Sequence, residues 1–519
     1  MLESTPQLVI ICLDGVRPDI AHAFDVFAPP FPVPDTGPRR LRSVFPSSTA
    51  TAHASFLTGT DSAGHGIVGN RFWNCENVAE IKQRADEPLA ALHPYEFSTL
   101  TAKSWLRRLG ASGVRSAAVH FPHTIDRAAD DQAPAVFCLY APTRRFRLAV
   151  PTPREDISET FTTAYFGEKA TLLVRSAADI AALSVSIQSE HGKWDGDIEA
   201  NTQQRIAFDV AAGRVSGHCS WRQISAETIE VTLSTAVLTM TFGGIELAWN
   251  PDDASTHPAS AAPSYLASGT DDFFESPRAD WIRDVALQVN RAARPDLLLV
   301  RFNQIDHAQE FLYWQACRGS AALRNTARDE IMATYGLVER CVAAIAEAIG
   351  PQADYMLFSD HGIETVDRHI GLNAVLRACG LEHDMTFQGD SHVAYLYADR
   401  ELTSPELERL RSALIAADAS VRILSADAMN KLRLPVCSPR LGKLAVLCGA
   451  HRKFTYGPSE EPTSDVRSAS HGNVITDSDM DGMIRLFGPH ALSVPVPEAI
   501  DSCTQTVEAI LELRRHGSR

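Results

Sequence analysis

Three apolar, β-prone runs in this chain are each followed closely by an aspartate. They are residues 8–13 before Asp14, residues 295–302 before Asp306 and residues 355–359 before Asp360. Continuous runs of Val, Ile, Leu and Phe are typical of strands buried on both faces of a parallel sheet. The carboxyl ends of such strands meet at one edge of an open α/β sheet, where ligands bind. The sequence therefore predicts an α/β fold with three carboxylates at that edge.

A hydroxyl-rich segment follows the first strand and reads Phe45-Pro46-Ser47-Ser48-Thr49-Ala50-Thr51-Ala52-His53. Residues 52–57 are predicted to continue this turn as a helix, so the hydroxyl groups lie at a helix N-terminus. Free backbone N–H groups at that end of a helix favour an anion. A carboxylate and a hydroxyl at an anion site indicate a metal-activated nucleophile. Composition alone does not choose among the serines and threonines, since each is equally typical of a turn or N-cap.

The segments that flank these residues predict two kinds of structure. Over residues 1–150, strand-like and helix-like segments alternate, which favours a parallel sheet with crossover helices. From about residue 150 to 275 the pattern changes to short segments with period-two alternation, which favours an inserted antiparallel β subdomain. The strands predicted there are 171–174, 183–187, 227–233, 237–242 and 245–249, with Gly243-Gly244 as a hairpin turn. A Ser/Pro/Ala-rich loop is predicted at 251–270.

The α/β pattern resumes after this region. Helices are predicted over residues 102–110, 281–289, 328–349 and 502–514, and a strand over 114–121. Five segments follow from these patterns: the first part of the α/β core with the nucleophile (1–150), the β-rich insertion (151–275), the second part of the core with metal ligands (276–384), an α+β cap (385–466), and the C-terminal part of the core with the last metal ligand (467–519).

Composition limits the partners of this chain. Its formal net charge of −16 argues against non-specific binding of nucleic-acid polymers. Binding of a small phosphate ester is compatible with this negative net charge, because bound divalent cations would dominate the local electric field. No apolar run approaches the roughly 18 residues of a membrane span, and no secretory signal is recognised before the first strand. Ten cysteines without a C-x-x-C pair predict buried thiols and a cytoplasmic location. A homo-oligomer is left open.

Ordered motifs carry a family resemblance along most of the chain. They are Asp14-Gly15, the segment from Phe45 to His53, Thr58-Gly59, the segment from His65 to Asn70, Asp306, Asp360-His361-Gly362 and His471-Gly472. In order and spacing they resemble the alkaline phosphatase superfamily, most closely its nucleotide pyrophosphatase/phosphodiesterase branch, with phosphonoacetate hydrolase as a near relative. The resemblance implies a central, mostly parallel sheet with helices on both faces, an inserted antiparallel β subdomain and a smaller α+β cap.

The resemblance also implies a centre of two divalent metal ions. One ion would take Asp14, Thr49, Asp360 and His361; the other would take Asp306, a histidine four positions later, and His471. Carboxylates with imidazoles suit Zn²⁺ first and Mn²⁺ second, rather than Ca²⁺. The chain departs from the pattern at the fourth position after Asp306, which is Glu310. We expect Glu310 to be the ligand in preference to His307, whose different spacing turns its side chain elsewhere on a helix.

The implied activity is hydrolysis of phosphodiester or pyrophosphate bonds. Thr49 would attack phosphorus and form a phosphothreonine intermediate, and Asn70 would donate to a phosphoryl oxygen. None of the motifs contains an arginine to clamp a dianion, which favours diesters of small molecules. Alternatives are a phosphonate C–P hydrolase or phosphomonoesterase at the same site, or a non-catalytic binding protein with a degenerate metal site.

The remaining histidines have mostly structural interpretations. We expect His53 and His65 to hydrogen-bond backbone near the site. His120, His123 and His392 are candidates to line the pocket, although each is equally compatible with an ordinary buried or solvated histidine.

Overall fold

The computed structural model describes most of the chain. The described residues are 8–20, 25–74, 77–84, 95–126, 133–141, 144–151, 155–165, 168–234, 236–247, 278–457, 461–474 and 478–517. They form two compact units, one built from residues up to 135 and from 282 onward, the other from residues 136–281. The predicted loop at 251–270 and the last two residues of the predicted strand 245–249 lie outside the described residues.

Strands make up both units. In chain order they are β1 (Leu8–Leu13), β2 (Arg39–Leu41), β3 (Ser116–Val119), β4 (Ala135–Ala141), β5 (Arg144–Ala149), β6 (Ile157–Tyr165), β7 (Glu168–Ser176), β8 (Ala182–Gln188), β9 (Lys193–Glu199), β10 (Gln203–Val210), β11 (Gly213–Ser225), β12 (Thr228–Leu233), β13 (Ala236–Phe242), β14 (Leu297–Phe302), β15 (Asp354–Phe358), β16 (Glu364–Gly371), β17 (Met385–Gly389), β18 (Val393–Ala398), β19 (Arg422–Ile423), β20 (Leu444–Leu447), β21 (Arg452–Thr455), β22 (Thr463–Ser470) and β23 (Gly482–Phe487).

Helices belong mainly to the first unit. They are α1 (Thr49–Thr58), α2 (Ser62–His65), α3 (Val78–Arg84), α4 (Trp105–Ala111), α5 (Ala279–Ala293), α6 (Gln304–Arg318), α7 (Ala321–Ile349), α8 (Leu372–Ala378), α9 (Ser404–Ala417), α10 (Ala426–Lys431) and α11 (Cys503–Gly517). Helix α7 begins seven residues before the predicted start at 328, where Ser320 accepts a hydrogen bond from the backbone N–H of Leu323 as an N-cap. No helix among these is long and apolar enough to span a membrane.

The central sheet of the first unit is mostly parallel. Its strand order is β2-β23-β15-β1-β14-β3. Strand β1 pairs in parallel with β14 and β15, and β14 pairs in parallel with β3, whereas β23 is antiparallel to its neighbours. Every residue of β1, β14 and β15 is buried, as the continuous apolar runs predict. The predicted α/β class is therefore confirmed.

Strand register brings the predicted carboxylates to one edge of this sheet. Leu13 lies opposite Phe302, and Cys12 lies opposite Phe358, so the three strands end level with one another. Asp14 follows β1 directly, and Asp360 follows β15 after one residue, Ser359. Asp306 lies in the first turn of α6, just after β14.

Helix α1 places the hydroxyl-rich segment beside the same edge. It begins at Thr49 after the extended N-cap Ser48, and it ends at Gly59, whose left-handed φ of 70° closes the helix. Nine of its ten residues are buried, so the helix is fixed by packing on all sides. His123 supports it from outside, since its ring nitrogens lie 2.8 Å from the Ala50 carbonyl oxygen and 3.2 Å from that of Glu96.

Two smaller sheets complete the first unit. A four-stranded antiparallel sheet of order β17-β18-β20-β19 packs with α8 and α9 around Phe387, Leu396 and Leu410, and this is the predicted α+β cap. A three-stranded sheet of order β21-β16-β22 carries His471 immediately after β22.

The second unit is antiparallel, as predicted for the insertion. One sheet joins β13, β11, β12 and β5 in that order, with β10 also on β11, and β6 to β9 form a four-stranded meander. One predicted strand is wrong. Gly243 and Gly244 form a turn, but residues 245–247 are not a strand, because alternating apolar residues do not by themselves supply a hydrogen-bonding partner.

The described cysteines form no disulfide. Nine are free, and seven of these are buried. The prediction of mostly buried thiols is confirmed for this part of the chain.

Gly15 allows Asp306 to approach Asp14, and Gly15→Ala should be costly. A Cβ at Gly15 would lie 2.9 Å from Cα and Cβ of Asp306, and its φ of 71° is unfavourable for other residues. We expect urea unfolding to show a loss of about 1–3 kcal/mol. Gly110→Ala is the matched control, since a Cβ there meets nothing within 4 Å and the residue lies inside α4. Equal stability of the two variants would contradict this account.

His123 should make the metal-free protein less stable in mild acid. Burial lowers the pKa of His123 from 6.5 to about 4. Between these values the unfolded chain binds a proton that the folded ring does not, so the free energy of unfolding falls as pH drops. The slope from this residue is up to about 1.4 kcal/mol per pH unit. In His123→Asn, urea unfolding at several pH values should show a smaller decrease of the unfolding free energy with falling pH. If the unfolding free energy of the variant depends on pH as steeply as that of the wild type, the prediction is wrong.

Candidate metal centre

The predicted ligand residues come together at the sheet edge. Asp14, Asp360 and His361 offer ligand atoms within 4.8 Å of one another, and Asp306, His361 and His471 do the same. All of these residues are buried. His361 belongs to both groups, so the two candidate sites are adjacent.

Buried carboxylate oxygens in this centre lack hydrogen-bond partners. Oδ1 of Asp14, Oδ1 of Asp306 and Oδ2 of Asp360 are buried and unpartnered among the described residues. The other oxygen of Asp360 accepts from the backbone N–H groups of Gly15 and His361 at 3.3 and 3.1 Å. One oxygen is thus anchored while the other is directed into the centre. Unpartnered buried carboxylate oxygens are costly unless a cation satisfies them.

Both histidines present an unprotonated nitrogen to the same space. Nδ1 of His361 lies 3.0 Å from the Gly362 carbonyl oxygen, and Nδ1 of His471 lies 3.2 Å from that of Ser47. Each Nδ1 therefore carries the proton and donates, which leaves the Nε2 lone pair for a ligand. The two rings stack with centroids 3.9 Å apart.

Electrostatics favour cations in this centre. Burial, and then the neighbouring Asp14 carboxylate, raise the pKa of Asp306 and of Asp360 well above the ordinary value. Burial lowers the pKa of His361, and burial followed by the adjacent His361 lowers the pKa of His471 to about 4. Neutral imidazoles and crowded carboxylates form a donor set that fits divalent metal ions.

Glu310 and His307 both lie in the first turns of α6 near this centre. Glu310 is one helical turn beyond Asp306, and its charge acts on both Asp306 and His471. His307 follows Asp306 on the helix, and its ring lies within electrostatic range of Asp14, Arg301 and His471. The geometry is compatible with the predicted preference for Glu310, and the ligand assignment stays a prediction.

Thr49 stands apart from the other hydroxyl residues. Its Oγ1 lies 3.3 Å from Nε2 of His361, at the N-terminus of α1. Ser48 and Thr51 are 3.3 Å from each other and bond together, while Ser47 donates to the Val44 carbonyl oxygen at 2.8 Å. The structure therefore places Thr49 next to His361, and its role as nucleophile stays a prediction.

Asn70 lies beside Thr49 and is held through its oxygen. Its Oδ1 accepts from the backbone N–H of Ala50 at 2.9 Å, and its backbone N–H donates to Asp390 at 3.1 Å. Because Oδ1 accepts this hydrogen bond, the side-chain NH₂ group remains a donor. The predicted contact of this group with a phosphoryl oxygen stays a prediction.

Arg301 is the residue that sequence reasoning missed. It is a buried arginine on β14, and its Nε donates to Oδ2 of Asp14 at 2.9 Å, with a second N–H of the guanidinium on the same oxygen. Another guanidinium nitrogen lies 3.3 Å from Nε2 of His120. Burial alone would raise the pKa of Asp14, but Arg301 and then His361 hold it well below its usual range. The feature of the sequence that could have revealed Arg301 is a single positively charged residue inside an otherwise apolar strand.

The remaining histidines hold the surrounding backbone. His53 contacts the Thr49 carbonyl oxygen at 2.8 Å, and His65 bonds to Ser55 and to the backbone N–H of Ile67. His392 lies 3.0 Å from the His471 carbonyl oxygen and 2.7 Å from Glu364.

A third group combines Cys12, His53 and Asp360 within the same 4.8 Å limit. Burial raises the pKa of Cys12 well above its ordinary value, so the neutral thiol persists. A neutral thiol is a weak metal ligand, and this group is better explained by packing behind the centre.

Comparisons with known proteins agree with the fold. The family model for type I phosphodiesterase/nucleotide pyrophosphatase matches residues 8–473. Murine ectonucleotide pyrophosphatase/phosphodiesterase 5 matches with a TM-score of 0.52 and 11% identity, over 98% of this chain and 95% of its own. The human protein of that name matches with a TM-score of 0.51 and 12% identity, over 98% and 95%.

A phosphonoacetate hydrolase from Sinorhizobium meliloti 1021 in complex with phosphonoformate has a TM-score of 0.48 and 14% identity, over 98% of this chain and 96% of its own. A comparison with curated proteins gives no significant match. At such identities the two ectonucleotide pyrophosphatase structures support the fold, whereas the family model spans most of the chain and confirms the resemblance of its motifs. The protein belongs to the type I phosphodiesterase/nucleotide pyrophosphatase family of hydrolases.

Proposed function

We propose that this protein hydrolyses phosphodiester or pyrophosphate bonds of small molecules with two divalent metal ions and Thr49 as nucleophile. The observation that carries the proposal is the position of Thr49. Its hydroxyl lies at the N-terminus of α1, within 3.3 Å of His361 and beside buried carboxylate oxygens that lack partners among the described residues. An anion-binding helix end, a hydroxyl and a cation-binding centre are the parts that phosphoryl transfer needs.

Each residue of the centre has a task in this reaction. Asp14, Thr49, Asp360 and His361 would hold one metal ion, and Asp306, Glu310 and His471 the other. When bound, such ions lower the pKa of a coordinated hydroxyl and stabilise charge on phosphoryl oxygens.

Thr49 Oγ1 forms a bond to phosphorus as the bond to the leaving oxygen breaks, which gives a phosphothreonine. Water then cleaves the phosphothreonine, regenerates the hydroxyl and releases the phosphate product. Through both steps the Asn70 NH₂ group and the backbone N–H of Thr49 donate to the phosphoryl oxygens.

The donors favour a phosphoryl group of low charge. Asn70 is neutral, and the guanidinium of Arg301 is engaged by Asp14 rather than directed at Thr49. A diester or pyrophosphate carries less charge on the reacting phosphorus group than a monoester does. A C–P hydrolase or monoesterase on the same residues is the rival activity, and a non-catalytic binding role is disfavoured by the position of Thr49. Zn²⁺ and then Mn²⁺ are the ions we propose, and a cytoplasmic location stays a prediction.

Thr49→Ala should abolish turnover of bis-p-nitrophenyl phosphate while folding and metal content stay near those of the wild type. Removal of a covalent nucleophile costs about three or more orders of magnitude in kcat. Ser48→Ala and Thr51→Ala are matched controls, because their hydroxyls bond to each other. Turnover of p-nitrophenyl phosphate and phosphonoacetate measured in parallel distinguishes the rival activities. A large loss in either control with an active Thr49→Ala would sink the assignment.

Glu310→Ala should lose one of two bound metal ions, measured by elemental analysis after loading with Mn²⁺. Glu310 lies one helical turn from Asp306 and is the proposed ligand. Loss of a ligand weakens metal binding more than loss of a nearby residue that does not bind the ion. His307→Ala is the control and should keep both ions. If His307→Ala loses an ion and Glu310→Ala does not, the two residues exchange roles and our assignment is wrong.

A further inference from the structure

The Asn70 loop (residues 66–74) packs against strand β18 of the cap. Alternate residues of a strand face opposite sides of its sheet. The odd-numbered residues of β18 are buried in one cluster with apolar residues of the loop: Val393, Tyr395, Tyr397, Ile67, Val68 and Phe72. The even-numbered residues Ala394, Leu396 and Ala398 are buried in the core of the cap instead. One face of the cap sheet is therefore occupied by the loop that carries Asn70.

Two buried tyrosine hydroxyl groups on this face bond to the backbone of the loop. Tyr395 donates to the Val68 carbonyl oxygen at 2.7 Å, and Tyr397 accepts from the backbone N–H of Trp73 at 2.9 Å. Because these bonds engage main-chain groups on either side of Asn70, they fix the course of the loop independently of its side chains.

Asp390, which directly follows β17, contacts Asn70 itself. Its carboxylate is buried, with Oδ2 accepting from the backbone N–H of Asn70 at 3.1 Å and Oδ1 from that of Ser391 at 2.8 Å. The approach is close, since a Cβ at Gly69 would lie 3.0 Å from the same Oδ2. Asp390 therefore joins the cap to the residue that carries the proposed phosphoryl donor.

Asn70 is thus held from two sides. Its Oδ1 accepts from the backbone N–H of Ala50 in the first turn of α1, while Asp390 holds its backbone N–H. The position of the Asn70 NH₂ group relative to Thr49 consequently depends on the cap as well as on α1. A displacement of about 1 Å at a reacting centre costs about 100-fold in rate.

We propose that Asp390, supported by Tyr395 and Tyr397, is a positioning residue through which the cap places the Asn70 NH₂ group for the transition state. This inference rests on the proposed function, in which that group donates to a phosphoryl oxygen. A donor that acts on charge developing in the transition state affects kcat more than KM.

The first test is a double-mutant cycle between Asp390→Ala and Asn70→Ala, with bis-p-nitrophenyl phosphate as substrate of the Mn²⁺-loaded protein. We expect Asn70→Ala to lower kcat about 100-fold. Asp390→Ala should lower kcat about tenfold, with KM within about threefold of the wild type. In the Asn70→Ala background, Asp390→Ala should cause no further loss, because its effect passes through the missing NH₂ group.

The cycle also separates positioning from charge. The charge of Asp390 acts on His361 and His471 as well, and an effect of this kind would persist without the Asn70 side chain. Tyr395→Phe changes no charge, so a severalfold loss of kcat that is absent in the Asn70→Ala background supports positioning. Tyr355→Phe is its matched control, because the buried Tyr355 hydroxyl donates to the Gly350 carbonyl oxygen instead, and kcat should stay unchanged.

Hydrogen–deuterium exchange of the metal-free proteins provides a readout that is independent of activity. Peptides that cover the Asn70 loop should exchange faster in Asp390→Ala than in the wild type, because the loop loses a hydrogen bond to the cap. Asp418→Ala is the matched control. Asp418 is a buried cap carboxylate that accepts from the backbone N–H of Ser420 at 2.9 Å and pairs with Arg452. Its removal should leave exchange of the loop and kcat unchanged.

The outcomes distinguish this inference from the proposed function. Full persistence of the Asp390→Ala loss in the Asn70→Ala background, or unchanged exchange of the loop in Asp390→Ala, would overturn the inference alone. A wild-type protein that hydrolyses no phosphate or phosphonate ester would overturn the proposed function and the inference with it. If Asp390→Ala does not fold, Tyr395→Phe decides: a loss of kcat that depends on Asn70 supports the inference, and wild-type kcat with unchanged exchange overturns it.

Discussion

Mutual repulsion among buried carboxylates is the constraint on which the rest of this structure depends. Asp14, Asp306 and Asp360 are brought together by three parallel strands that end level, in a space closed to water. Burial and proximity oppose the ionisation of Asp306 and Asp360, as their raised pKa values indicate. Such a cluster persists at low cost only if cations or protons compensate it. The donor set of the centre therefore fits cations.

The fold positions these groups through backbone rather than through long side chains. Strand register sets the level of each aspartate, and Gly15 allows the backbone of Asp306 to approach within contact distance. His361 and His471 are oriented by carbonyl oxygens of neighbouring residues, so their free nitrogens face the carboxylates. Backbone contacts of this kind hold the ligand atoms in place before any ion binds. Less conformational entropy is therefore lost when an ion binds.

Glu310 is the departure from the related pattern, and Arg301 is the buried cation that bonds to Asp14. A glutamate in place of a histidine changes the field in the centre by one charge, and that change acts on both the metal ions and the substrate. Arg301 lies on β14, the strand that leads into α6. The guanidinium of Arg301 is engaged by Asp14.

The sequence by itself determined the α/β class, the three strand-end aspartates and the antiparallel insertion, because each depends on local patterns of apolar residues. Tertiary structure decided what depends on partners distant in the chain. Thr49 is distinguished from Ser48 and Thr51 only by the nearness of His361. The role of Arg301 appears only when register places it beside Asp14, and residues 245–247 fail to form a strand despite their alternation. The sequence specifies which side-chain groups are present, whereas charge pairing and strand pairing are long-range interactions that form only when the chain folds.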